Sequence, residues 1–345
     1  MGMKTRLLGK TPDELKEIAL AAGLPGFAGK QLARWLYVRK VRSISEMTDI
    51  SKAGREALSR DYEVGVTEPS GWQLSSDGTR KYLFPVGEGE AVEAVMIPDE
   101  DRKTLCISSQ AGCKMGCHFC MTGRQGFHGQ LTAADILSQL IAVEESDELT
   151  NAVFMGMGEP LDNWPEVSRA IGVMTAEWGF AWSPKRITLS TIGVIPNLRK
   201  YLDGSRCHLA VSLHDPFPAE RASLMPAEKG YPIRDVLELI RQYDFTGQRR
   251  VSFEYTMFEG FNDSFRHADE LARLLRGLEC RVNLIRFHQI PDFPYRTASR
   301  QAMEAFRDRL SGRGVTATIR ASRGEDILAA CGMLAGQHKQ EHHEQ

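Results

Sequence analysis

Three cysteines, Cys113, Cys117 and Cys120, fall within eight residues in the run CKMGCHFC. A Cys-x3-Cys-x2-Cys spacing gathers three thiols into one short loop. Three thiolates can hold three irons of a cubane iron–sulfur cluster, for which four cysteines are usual. The fourth iron then lacks a protein ligand and can bind a small molecule. The other reading is structural zinc, which takes four ligands, typically from two Cys-x2-Cys-like pairs. No second pair occurs, and His118 is too close in sequence to be an easy fourth ligand. Seven cysteines is an odd count without the spacing of a disulfide framework. In a reducing compartment, clustered cysteines point to metal binding or catalysis.

A length of 345 residues suits a barrel-sized domain with a smaller one attached. No stretch of about 18 uncharged apolar residues occurs, nor an apolar core segment of a signal peptide, so a cytoplasmic protein with no membrane association is expected. The net charge of −2 hides an asymmetry. Residues 1–60 carry 12 Lys and Arg against 6 Asp and Glu. Lys30, Arg34, Arg39, Lys40 and Arg42 lie in a segment without acids, interleaved with Trp35 and Tyr37. Such interleaving suits a polyanion with stackable bases, or else a solvated helix face over two core aromatics.

Residues 11–60 read as short helices. Thr11 and Glu14 form a capping-box pattern, and further helices are expected near 30–38 and 51–60. Residues 61–105 look β-rich, with a domain boundary at 95–96. Beyond it, strand-like runs near 103–109, 151–156, 186–191, 207–213, 250–256, 281–287 and 315–320 alternate with helical stretches. The helices are expected at 132–145, 164–178, 231–243, 264–277 and 299–313. Such alternation implies βαβ units, a parallel sheet and an α/β fold, a full or partial barrel over 96–336. In such barrels the chemistry sits at the C-terminal strand ends, where the cysteine run falls. A polar tail over 337–345 is expected to be disordered.

Cys-x3-Cys-x2-Cys after the first strand resembles the radical S-adenosylmethionine (SAM) superfamily. The longer run TLCISSQAGCKMGCHFCMTGRQGF resembles its RlmN/Cfr branch of RNA methyltransferases. MGMGEP (155–160), LSTIGVIP (189–196), AVSLHDP (210–216) and RASRGEDILAACG (320–332) match as well. The likeness spans roughly residues 10–335. It implies a partial (β/α)6-type radical SAM barrel with a small helical N-terminal accessory domain.

The resemblance also implies residue roles. Cys113, Cys117 and Cys120 would hold a [4Fe-4S] cluster whose fourth iron is chelated by SAM. Gly158, Glu159, Ser190, Ser212, Leu213 and His214 match SAM contacts. The family often has Pro-x-Asn after the sixth strand; here NLIRFHQIP places Arg286 and His288 there, and His288 is the expected substitute. Cys331 matches a methyl-accepting cysteine, and Cys106 the thiol that later resolves it by forming a transient disulfide. Glu93, in EAVMIP, matches a proton acceptor; Cys106 is the other base considered. Without the family, Cys106 and Cys331 would read as buried small residues, as Cys207 and Cys280 still do.

The implied reaction is methylation of adenine C2 in 23S rRNA, and possibly tRNA, with flavodoxin or ferredoxin as electron donor. Lys30, Arg34, Trp35, Arg39 and Lys40 are candidates for gripping RNA. Methylation at C8 of the same adenosine, a radical SAM maturase or activase, and a non-enzymatic iron–sulfur RNA sensor are the alternatives.

Overall fold

The computed structural model describes residues 4–87, 89–245, 247 and 249–335. The tail expected over 337–345 lies outside the described residues, as does residue 336. Seven strands run parallel in one sheet: Arg102–Cys106, Asn151–Phe154, Ile187–Thr191, His208–Ser212, Val251–Met257, Cys280–Arg286 and Thr316–Ile319. They pair in chain order, each with the next. Helices fill every gap between them, so all seven strands end on the same rim. Parallel strands wrapped by helices are covered on both faces and carry continuous apolar runs. Leu209, Ala210 and Val211 are accordingly all buried. The sheet stays open, a partial barrel as expected, with a seventh strand after the sixth helix.

The expected barrel helices appear, each shorter by a few residues, and those expected near 30–38 and 51–60 appear at 28–38 and Lys52–Asp61. The pattern missed Ile195–Gly204 and Pro218–Leu224. Pro196 and Pro218 read as breakers in sequence. In the structure they occupy the first turn, where a missing N–H costs nothing.

The expected boundary at 95–96 falls inside a strand, Glu90–Asp99. Gly71–Leu74, Arg80–Val86 and Glu90–Asp99 form an antiparallel extension joined directly to the first barrel strand. The β-rich connector therefore continues the barrel sheet. The helical module ends near residue 64. It holds Pro12–Ala21, Ala28–Ala33 continuing as a π-turn over Arg34–Val38, and Lys52–Asp61. Thr11 and Glu14 form the capping box reciprocally. The module docks through Arg6 on Asp135, Arg169 on Glu14 and Tyr37 against Trp178.

Two glycines let the second strand end pack closely against the first. A Cβ on Gly156 would lie 2.7 Å from the Ile107 backbone, and one on Gly158 2.5 Å from Gln110 Cβ. Gly158 also has φ +97°. The close approach these glycines permit is thus to the neighbouring loop. Gly158→Ala should destabilise the chain by about 2–3 kcal/mol through overpacking and backbone strain. Gly230, at φ −94° and with no close neighbour, is the control: Gly230→Ala should change stability by less than about 0.5 kcal/mol. Urea unfolding of both variants checks this.

Candidate active site

One cavity opens at the C-terminal rim. Cys113, Cys117, Cys120, Gly158, Glu159, Ser190, Ser212, His214 and Cys331 all line it. Residues 104–126 supply the cysteine loop, and each following strand end adds a side chain. Leu213, Glu93, Cys106 and His288 are not among the lining residues.

The three loop thiols are pushed up by burial and then by nearby negative charge, from Glu159 and Cys120 at Cys113 and from Cys120 and Cys113 at Cys117; Cys113 rises to about 12. Thiols so placed favour a cationic group that accepts them as thiolates. Among the described residues, one set of His, Cys, Asp and Glu ligand atoms lies within 4.8 Å, Asp215–Glu220–His267, and no loop cysteine belongs to it. A single zinc ion with Zn–S near 2.3 Å draws sulfurs to about 3.8 Å of one another. The donor set therefore fits an iron–sulfur cluster better than one ion. His118 is spent elsewhere, its Nδ1 lying 2.9 Å from the Ser223 carbonyl.

The SAM-motif residues form a hydrogen-bonded frame. Glu159 accepts from Thr191 Oγ1 at 2.6 Å, Ile192 N at 2.9 Å and Leu161 N at 3.0 Å. It thereby joins the second and third strand ends. Burial pushes its carboxyl up to about 7 against those donors. His214 sits at φ 56° and accepts from Thr256 N through Nδ1 at 3.0 Å. Burial and the Arg221 charge lower its pKa to about 3, so the ring is neutral. With Nδ1 accepting, the proton is on Nε2. Phe119, within the cysteine run, meets this ring edge-on at 4.9 Å. Leu213 is buried in the core, and its carbonyl accepts from Arg221 Nε at 2.9 Å.

His288 departs from expectation. Ile285 and Phe287 line the cavity, and Arg286 and His288 line a neighbouring hollow. There His288 Nε2 lies 3.1 Å from Ser322 Oγ. Glu93 is buried on the antiparallel extension; its Oε1 meets Lys81 Nζ at 3.0 Å and its Oε2 accepts from Ala335 N at 2.8 Å.

Cys106, the last residue of the first strand, is buried; Cys331 is exposed on the C-terminal segment. The two thiols lie near enough for charge on Cys331 to raise Cys106. Burial is the larger cause and pushes Cys106 up to about 12, while Arg320 pulls it down. Arg320 follows the seventh strand, and its positive charge acts on both thiols and on Glu254, 3.5 Å away. Cys207 is buried and Cys280 half-buried, both away from the cavity.

Sequence reasoning missed Arg221, Glu254 and Arg320. Arg221 is fully buried, ion-paired with Glu228, and braces the Ser212 and Leu213 carbonyls behind His214. A helical arginine reads as exposed; only Glu228, seven residues on, hinted otherwise. Arg320 opens a matched motif but was given no role.

Of the basic cluster, Lys30, Arg34 and Arg39 are exposed. Lys40 is tied to Asp147 at 2.7 Å and to Ser146. Tyr37 is a core residue donating to the Lys10 carbonyl, and Trp35 Nε1 donates to Asp49.

Residues 107–275 match the radical SAM superfamily, and residues 5–64 the ribosomal RNA large subunit methyltransferase N-terminal domain. A probable dual-specificity RNA methyltransferase RlmN from Porphyromonas gingivalis is 60% identical over 96% of this chain and 94% of its own. A dual-specificity RNA methyltransferase RlmN from Syntrophus aciditrophicus is 41% identical over 94% of each. The crystal structure of a radical SAM methyltransferase from Sphaerobacter thermophilus superposes with a TM-score of 0.91 at 38% identity, over 96% of this chain and all of that one. Among the described residues no helix is long and apolar enough to cross a membrane. With both family models matched in order and the likeness running nearly end to end, the chain belongs to the RlmN family of radical SAM RNA methyltransferases.

Proposed function

We propose that the chain methylates C2 of an adenosine in 23S rRNA, and in tRNA, through a methyl group carried on Cys331 and released by Cys106. The observation that carries this reading is the placement of the two thiols. Cys331 lines the cavity into which the cluster cysteines point, and Cys106 lies buried but near enough for the charges of Cys331 and Arg320 to act on it. Adenine C2 is electron-poor and is not a nucleophile, so direct methyl transfer from SAM fails there.

Cys113, Cys117 and Cys120 would hold the cluster. When bound, the cluster and SAM supply an electron and a 5′-deoxyadenosyl radical. His214, neutral with its proton on Nε2, and the Glu159 frame shape the SAM pocket. Cys331 first takes a methyl group on sulfur by displacement from one SAM. A hydrogen atom lost from that methyl group to the radical from a second SAM would leave a carbon radical that bonds to the ring, linking base and Cys331; the adduct would then return one electron to the cluster and give its ring proton to a base. The Cys106 thiolate would then attack the Cys331 sulfur, forming a disulfide while the carbon–sulfur bond breaks; the departing carbon keeps the electron pair and takes up a proton, freeing the methylated base. Of the two bases considered for the ring proton, Cys106 is the better placed, because both Glu93 oxygens are engaged by Lys81 and Ala335.

Anaerobic reconstitution with rRNA fragments and nucleoside analysis should yield 2-methyladenosine. A C8-methylated product would instead support the alternative chemistry of the same base. Cys331→Ala should give neither product. Cys106→Ala should accumulate a protein–RNA crosslink, and full turnover without one would remove its role.

Attack by Cys106 needs its thiolate, which burial disfavours and Arg320 favours. Thiolate fraction below the pKa rises tenfold per pH unit, so crosslink resolution should accelerate as pH rises. Arg320→Met raises that pKa further. It should move the profile to higher pH and slow resolution about tenfold near neutrality, since moving a pKa by one changes the thiolate fraction by a factor of ten. Arg320→Lys should recover part of the loss. An unmoved pH profile in single-turnover chase experiments would remove Arg320 from this step.

The exposed Lys30, Arg34 and Arg39 are proposed phosphate contacts. The π-turn places Arg39 five residues after Arg34, where Arg39 N bonds the Arg34 carbonyl at 3.0 Å. This sets the two side chains roughly one above the other. Replacing all three by Ala should weaken RNA binding and reduce the slope of log K against log salt by about 2–3. A slope unchanged in filter-binding titrations would place the phosphate contacts elsewhere.

A further inference from the structure

The segment that carries Cys331 has no helix or strand of its own between residues 320 and 335. It is fastened at two places. Its first half is tied to the turn at residues 75–79: Asp326 accepts from Ser75 Oγ at 2.5 Å and Ser76 N at 3.0 Å, and Gly324 N donates to Asp77 Oδ2 at 2.9 Å. Its second half is tied to the short turn of helix that follows the last cluster cysteine. Met121 N donates to the Gly332 carbonyl at 2.8 Å, Thr122 Oγ1 to the Leu334 carbonyl at 2.7 Å, and Gln125 Nε2 to the Ala335 carbonyl at 2.6 Å. Glu93 closes the set from the other side by accepting from Ala335 N. Cys331 sits on the span between the two anchors and is exposed.

The second anchor is joined to the metal loop. Thr122 is buried two residues after Cys120, and its hydroxyl donates to the Leu334 carbonyl. Met121–Gln125 begins immediately after Cys120, so any group that fixes the three cysteines also fixes the donors holding residues 332–335. In the opposite sense, a loop loosened by loss of that group presents these donors in no fixed place.

We propose that Thr122 and Gln125 are positioning residues for Cys331, forming a latch that holds the C-terminal segment against the cluster loop only when the cluster is in place. The consequence for methyl transfer rests on the reading of Cys331 as methyl carrier; the latch itself does not. It gives the chain a reason to present its methyl-accepting thiol at the cavity only once a radical can be made there. The anchor at 75–79 stays fixed in either state and serves as the pivot.

Hydrogen exchange read by mass spectrometry on the full chain, under anaerobic conditions, tests the latch. The peptide covering 327–335 should exchange about tenfold more slowly with the reconstituted [4Fe-4S] cluster than after iron chelation. In Thr122→Val/Gln125→Ala, loaded to the same iron content, that protection should disappear. The peptide over 320–326, held by the other anchor, should exchange alike in all states. Equal exchange of 327–335 in loaded and chelated wild type would overturn the proposal, as would full protection in the double variant. If Thr122→Val fails to load iron, Gln125→Ala alone decides. Its amide bonds only the Ala335 carbonyl among the described residues, and it must speed exchange by at least about threefold. The same variant should raise the ratio of 5′-deoxyadenosine to methylated nucleoside, since a misplaced Cys331 leaves radicals unused. Absence of a methyl group on Cys331 in the wild type would sink the functional reading while leaving the exchange result standing.

Discussion

Three thiols within eight residues, one buried and two half-buried, cannot all ionise without something positive between them. Cys113 and Cys117 are raised by burial and by the charge of their neighbours. Arg221 alone offsets part of this at Cys117, and it is committed to Glu228 and to two backbone carbonyls. The loop therefore suits a cationic group, such as the iron–sulfur cluster that the radical SAM family match implies. The remainder of the rim is arranged to face it: Phe119 from the loop itself, His214 held neutral, and Glu159 ringed by donors.

Neutral His214 and partly neutralised Glu159 serve the same end by different means. Each is buried, and each is denied its usual charge by burial. In the Asp215–Glu220–His267 group behind them, Glu220 and His267 lie 2.7 Å apart, while Asp215 Oδ2 is buried without a hydrogen-bond partner among the described residues. Its place next to His214 in sequence makes it a brace for that loop.

The parallel strands were legible because each is an apolar run bounded by turns, and burial on both faces requires that pattern. The cluster motif was legible because its ligands are local. What sequence could not give were relations between distant segments. The antiparallel strands at 71–99 looked like a connector because nothing in their alternation says which sheet they join. His288 lies two residues past the end of its strand, where strand alternation no longer fixes the direction of a side chain, and it lines the hollow beside the cavity. Arg320, Glu254 and Arg221 became site residues only through partners 7 to 214 positions away (Glu228 for Arg221, Cys106 for Arg320).

The chemistry asks contradictory things of Cys331. In the proposed reaction its sulfur would have to meet a SAM methyl group, then a radical and an adenine ring, and finally the Cys106 sulfur. A residue locked in a helix could meet one of these. One in a free tail would meet none with useful frequency, because ordering several residues costs about 1–2 kcal/mol each. An irregular span between two hydrogen-bonded anchors satisfies both demands. The anchors limit the search to the cavity mouth, and the span between them, turning at Gly332 with φ +84°, keeps the thiol able to change partners. Arg320 lies where that span begins and acts on both sulfurs. It holds its favourable charge in place whichever of them is the nucleophile at a given step.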